Sequence, residues 1–162
     1  MTTSSTVSIS DQGAATIAAH LTPGTWVQAH DDGMGSGHTI LRYTGEDELL
    51  QGAHIYARIG YFQKPPPGKI EWRCSMHAPA GVAGQRYLVD LLPYDARKAW
   101  PGSSINISAS KPPIRVAREL SARLLSYYLP AYRLAMQALQ AETTQHAADN
   151  ALALELGALL GK

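Results

Sequence analysis

Two runs of strict alternation constrain this chain more than anything else in it. Ile55, Ala57, Ile59 and Tyr61 alternate with His54, Tyr56, Arg58, Gly60 and Phe62. After the breaker Lys64-Pro65-Pro66-Pro67-Gly68, Ile70, Trp72, Cys74 and Met76 alternate with Glu71, Arg73, Ser75 and His77. Successive side chains of a strand point to opposite faces, so two such runs around a Pro/Gly turn predict an antiparallel hairpin with one buried face. A sheet of that kind needs an apolar cover. From Pro112 the period changes, and Ile114, Ala117, Leu120, Leu124 and Tyr128 recur at steps of three and four. That is the stripe of an amphipathic helix. Arg115, Glu119 and Arg123 stand opposite it, with Glu119 and Arg123 at a favourable i,i+4 spacing.

The remaining elements fit around this pair. Ser10-Asp11 reads as a helix start, Ala14, Ile17, Ala18 and Leu21 as its apolar face, and Thr22-Pro23-Gly24 as its stop. Strands are expected over Thr25–His30, Thr39–Thr44, Tyr87–Leu92 and Ser104–Ser108. Pro130 lacks an N–H and its ring crowds the preceding turn, so the long helix should kink or restart there. Asp149-Asn150 is a further possible break. The expected fold is α+β: an antiparallel sheet of about five or six strands, a short N-terminal helix, and a long, Pro-kinked C-terminal helical region packed on it. Residues 1–130 form the core domain in this reading, and 131–162 a helical C-terminal extension, either part of the same domain or an interface element.

With 162 residues, 45% of them hydrophobic and 17% charged, the chain has the size and composition of one folded domain. Its apolar runs are too short to span a bilayer, so no membrane contact is expected. No leader-like N-terminus is seen, and the single cysteine, Cys74, excludes an internal disulfide, so a cytoplasmic location is the expectation. Charge is spread in blocks. Residues 1–50 hold one arginine against six Asp and Glu, and residues 51–133 hold twelve Lys and Arg against four. From Leu134 onward Lys162 stands against Glu142, Asp149 and Glu155. A basic middle between acidic ends generates a local positive field unless the ends fold back over it.

Motifs for chemistry are weak. His20, His30, His38, His54, His77 and His146 show no metal-ligand spacing. His30 and His38 with Asp31 and Asp32 are the nearest approach to a metal set, in what reads as a polar turn. Neither a metal nor any other cofactor is expected. Gly33-x-Gly35-x-Gly37 lacks the Lys and Ser/Thr of a phosphate loop and precedes a strand pattern. Cys74 alternates in phase with Trp72 and Met76, which predicts a buried, inert thiol. Carboxylates cluster only at Asp31-Asp32 and Glu46-Asp47-Glu48, where solvated turns account for them.

The outward phase of the hairpin is richer. Tyr56, Arg58 and Phe62 on one strand and Lys69, Arg73 and His77 on the other would place aromatics among cations, as single-stranded nucleic acid requires. Two registers suit this: one sets Arg58 opposite Arg73 and His54 opposite His77, the other sets Arg73 opposite Gly60 and Tyr56 opposite His77. A plain solvated face, or one covered by the tail, is the competing expectation. In the tail, Leu134, Leu139, Leu152, Leu156, Leu159 and Leu160 exceed what one small sheet needs, and suggest a homodimer or a protein-partner interface, with Leu152, Leu156, Leu159 and Leu160 as its contact residues.

The stretch Ile105-Asn106-Ile107-Ser108-Ala109-Ser110-Lys111-Pro112-Pro113, with Ala117-Arg118, Arg123-Leu124-Leu125 and Tyr128-Leu129-Pro130, resembles a junction in small accessory proteins of bacteriophages and integrative elements of high-GC bacteria. It covers about 25 residues and carries no catalytic motif. Nine arginines against five lysines and heavy alanine use suit such a source. The resemblance implies action on nucleic acid or on a host defence complex. The leading expectation is therefore a non-enzymatic protein contacting nucleic acid or a nucleoprotein complex through the basic middle. An interaction or inhibitor protein acting through its C-terminal helices comes second, and a small hydrolase third.

Overall fold

A computed structural model of the chain describes residues 9–29, 39–58, 67–79 and 84–161. The fold is α+β, with five antiparallel strands in chain order: β1 (Trp26–Ala29), β2 (Thr39–Tyr43), β3 (His54–Arg58), β4 (Lys69–Cys74) and β5 (Ser104–Ser108). Helix α1 (Asp11–His20) starts where Ser10 caps it, its hydroxyl accepting the Gly13 N–H at 3.1 Å. A short helix α2 (Tyr94–Lys98) precedes β5, and α3 (Pro113–Leu120) follows it. A single wide π turn, Ser121–Leu125, joins α3 to the 35-residue α4 (Ser126–Leu160).

One face of the sheet carries Trp26, Leu41, Tyr43, Ile55, Ala57, Trp72, Cys74 and Ile107, all buried in one cluster with the helices. Ala117, Leu120, Leu124 and Tyr128 cover it as their spacing predicts, each fully buried. Ile114 does not join them. It is 43% exposed, and Val116 takes the buried place. Beyond the predicted Glu119–Arg123 pair at 3.0 Å, Glu119 also holds Lys111, a residue eight positions back, across the start of α3. These two cations lower the pKa of the Glu119 carboxyl, the Lys111 hydrogen bond most of all.

Several expectations are corrected. Tyr87–Leu92 is not a strand: Leu88–Leu91 forms a 3-10 turn that buries Leu88 and Leu91, and only Tyr87 bridges to His77. An apolar run of that length suits either state until its packing is known. The helix does not restart at Pro130 and does not break at Asp149-Asn150, since both lie inside α4. The irregularity falls one turn earlier, in the π turn, and α4 then continues through the proline. At Asp149 the side chain accepts from Gln145 Nε2 at 2.8 Å, an i,i+4 contact that supports the helix.

Packing divides the chain later than residue 130. Ala131, Tyr132, Ala135 and Leu139 are all buried in the core. The Tyr132 hydroxyl donates to the Gln51 carbonyl at 2.9 Å, and Arg133 pairs with Asp47, tying α4 to the Glu48–Leu50 turn. From Gln140 to Gly161 every residue is exposed. No helix among the described residues is long and apolar enough to cross a membrane.

Candidate functional site

Two surfaces stand out. The first is the outer face of the sheet. The β3–β4 register pairs Tyr56 with Arg73, Ala57 with Trp72 and Arg58 with Glu71. This is neither of the registers expected from the sequence. Glu71 instead of a second arginine faces Arg58, so like charges are not stacked. Arg73 Nη2 lies 3.1 Å from Glu71 and Arg58 Nη1 3.9 Å from it, so one carboxylate serves two guanidinium groups. Cross-strand pairing of opposite charges stabilises this part of the sheet.

Arg42, which the sequence reading left aside, joins this face. It pairs with His54 on β3 and Val27 on β1, and its alternation with Leu41 and Tyr43 carries the signal. Lys69 lies on the same face at the other end of β4, opposite Ser108. The described charges are thus Arg42, Arg58, Lys69 and Arg73 against Glu71, and Arg42 and Lys69 have no carboxylate partner among the described residues. Burial lowers the pKa of His54, and Arg42 pushes the same way, so the imidazole is neutral at pH 7 and adds nothing to this charge. Apolar groups also occur here: Val27 is 43% exposed, Tyr56 is half-buried, and Ile40 is buried outside the main core cluster.

The proposed aromatic row is only partly present. Tyr56 lies on the face. His77 lies beyond the end of β4 at Cys74 and packs on Tyr87, ring centroids 5.0 Å apart. Phe62 lies outside the described residues, as do His30, His38, Asp31, Asp32 and the Gly33–Gly37 triplet. Among the described residues no group of three potential ligands could hold a metal.

The second surface is the exposed length of α4, residues 140–161, an arm of about 30 Å at 1.5 Å per residue. Leu152, Leu154, Leu156, Leu159 and Leu160 are between 50% and 85% exposed. At 100° per residue, Ala141, Gln145, Ala148, Leu152, Leu156 and Leu159 fall on one stripe. Leu160 flanks it, and Leu154, absent from the sequence-based set, lies on the opposite side. Asp149 borders the stripe on one side and Glu155 on the other. Glu142 is paired with Arg86, and the arm from 140 to 161 contains no Lys or Arg.

Neither the cysteine nor the one cleft described offers a reactive or binding group. Cys74 is fully buried, its thiol pushed up to about 12 by burial while its Sγ donates to the Ser103 carbonyl at 3.4 Å. It stays protonated at neutral pH and is no nucleophile. A cleft of about 210 Å³ lies between α1, α3 and the β4–β5 edge, lined by Ile17, Ile70, Trp72, Ile107 and Val116. Its polar groups are taken: Ser10 caps α1, Ser108 bonds Ser110 at 2.9 Å, and Lys111 holds Glu119. A ligand site needs polar groups left over to orient its guest.

No family model matches the chain, and no curated protein or solved structure does either.

Proposed function

We propose that the protein acts by binding other macromolecules, without catalysis, and that the α4 arm is its association element. One observation carries this reading: 21 consecutive residues of helix, Gln140 to Leu160, are exposed, with five leucines in water. A solitary exposed leucine is ordinary, but a contiguous apolar stripe marks an interface. An accessory protein of a mobile element, the context that the Ile105–Pro130 junction resembles, would work by such contacts. A photo-crosslinking residue at position 156 of the full chain in living cells tests the reading, with position 150 on the far side of the helix as control. A discrete crosslinked protein from 156 alone is the expected result. Equal smears from both positions, or no product from either, would reject it.

A second reading is favoured by the outer sheet face, where four cations stand against one carboxylate beside Tyr56. Such a face suits single-stranded nucleic acid. It ranks below the arm because Arg58 and Arg73 already share Glu71. Binding of a fluorescent single-stranded oligonucleotide, weakened steeply by salt and lost in Arg42→Glu/Lys69→Glu, is what this reading requires. Salt-insensitive binding, or none at low salt, removes it.

A further inference from the structure

We propose that the arm of one copy lies across the outer sheet face of a second copy. This rests on the reading of the arm as an association element and adds its seat. The arm cannot reach its own sheet face. Helix α4 is unbroken from Ser126 to Leu160, and its first half is fixed in the core cluster with the inner-face residues of the sheet, against the Glu48–Leu50 and Leu88–Leu91 turns. Nothing among the described residues covers the leucines, and a second copy supplies the cover.

Charge decides between the two seats that a second copy offers. Arm against arm is disfavoured: Asp149 and Glu155 border the stripe on both sides, so carboxylates meet carboxylates in either orientation, with no Lys or Arg between 140 and 161 to relieve them. The sheet face is the complement. Arg42 and Lys69 lack carboxylate partners among the described residues, while Val27, 43% exposed, and the half-buried Tyr56 supply apolar contact for leucines. Dimensions agree as well. Five strands at about 4.8 Å spacing span about 19 Å between outermost axes, within the arm's length of about 30 Å. Reciprocal exchange, each arm on the other's sheet, closes into a two-fold dimer with both surfaces used.

Light scattering on three full-length proteins tests this, each first checked for native circular dichroism. They are the wild type, an arm variant (Leu152→Glu/Leu156→Glu/Leu159→Glu) and a face variant (Arg42→Glu/Lys69→Glu), all substituted at exposed positions. The wild type should be dimeric at micromolar concentration and dissociate as salt rises. Each variant alone should associate more weakly by about tenfold or more. An equimolar mixture should associate better than either variant, because it retains one intact arm and one intact face. A face variant that dimerises like the wild type, beside a monomeric arm variant, would place arm against arm: the seat is then wrong and the association reading stands. An arm variant with wild-type mass in a dimeric protein would overturn both. A wild type that stays monomeric at about 100 μM, well above the micromolar range of ordinary specific contacts, would overturn the second copy as occupant and leave the arm's role to the crosslinking result.

Discussion

Trp72→Ala is expected to destabilise the protein by about 3–5 kcal/mol, the usual cost of removing a buried tryptophan. Trp72 sits mid-strand on β4, between Ala57 on β3 and Ile105 on β5, and is 1% exposed. Its neighbours include a small residue that cannot swing in to fill the space, so most of the cavity would persist. Against a typical total of about 5–15 kcal/mol, such a loss removes a large part of the stability. For a chain of this length the midpoint of thermal unfolding should fall by about 10 °C or more. Lys69→Ala, at an exposed position of the same strand, should change it by no more than about 0.5 kcal/mol. Equal effects from the two substitutions would mean that the sheet is not anchored through its helix-covered face.

The second large effect is a contrast within one helix. Leu139→Glu should cost several kcal/mol, because Leu139 is 6% exposed and a carboxylate there would be stripped of water. Leu152→Glu, 13 residues further along the same helix, should leave the folding of the monomer within about 0.5 kcal/mol of the wild type. Urea unfolding of both proteins at low concentration measures this. A strongly destabilised Leu152→Glu monomer would show that the arm belongs to the core, and the association reading would fall with it. A harmless Leu139→Glu would shift the boundary of the core back towards Tyr132.

How much of this was legible beforehand depends on the kind of signal. Alternation in residues 54–58 and 69–74 was sufficient to find β3 and β4 and to say which side of each is buried, since side-chain direction follows from strand geometry alone. Register was not legible. Sliding one strand by two residues keeps every side chain on its face, so the pattern permits several pairings, and Glu71 instead of Arg73 came to lie opposite Arg58. That shift neutralised much of the charge on which the nucleic-acid expectation rested. Tyr87–Leu92 failed for a different reason: a short apolar run has no period to distinguish strand from turn, and burial of Leu88 and Leu91 was achieved by a 3-10 turn.

The sequence by itself determined the α+β class, the hairpin faces, the stripe of Ala117, Leu120, Leu124 and Tyr128, and the burial of Cys74. Each of these is set by periodicity along the chain, which local geometry converts directly into a direction in space. Only the tertiary structure decided where the core ends. Leu139 and Leu152 lie on the same apolar helix and look alike in sequence, but the sheet and its turns extend far enough to bury the first and not the second. Burial depends on how much partner surface lies within reach, a property of the assembled fold that no local pattern contains.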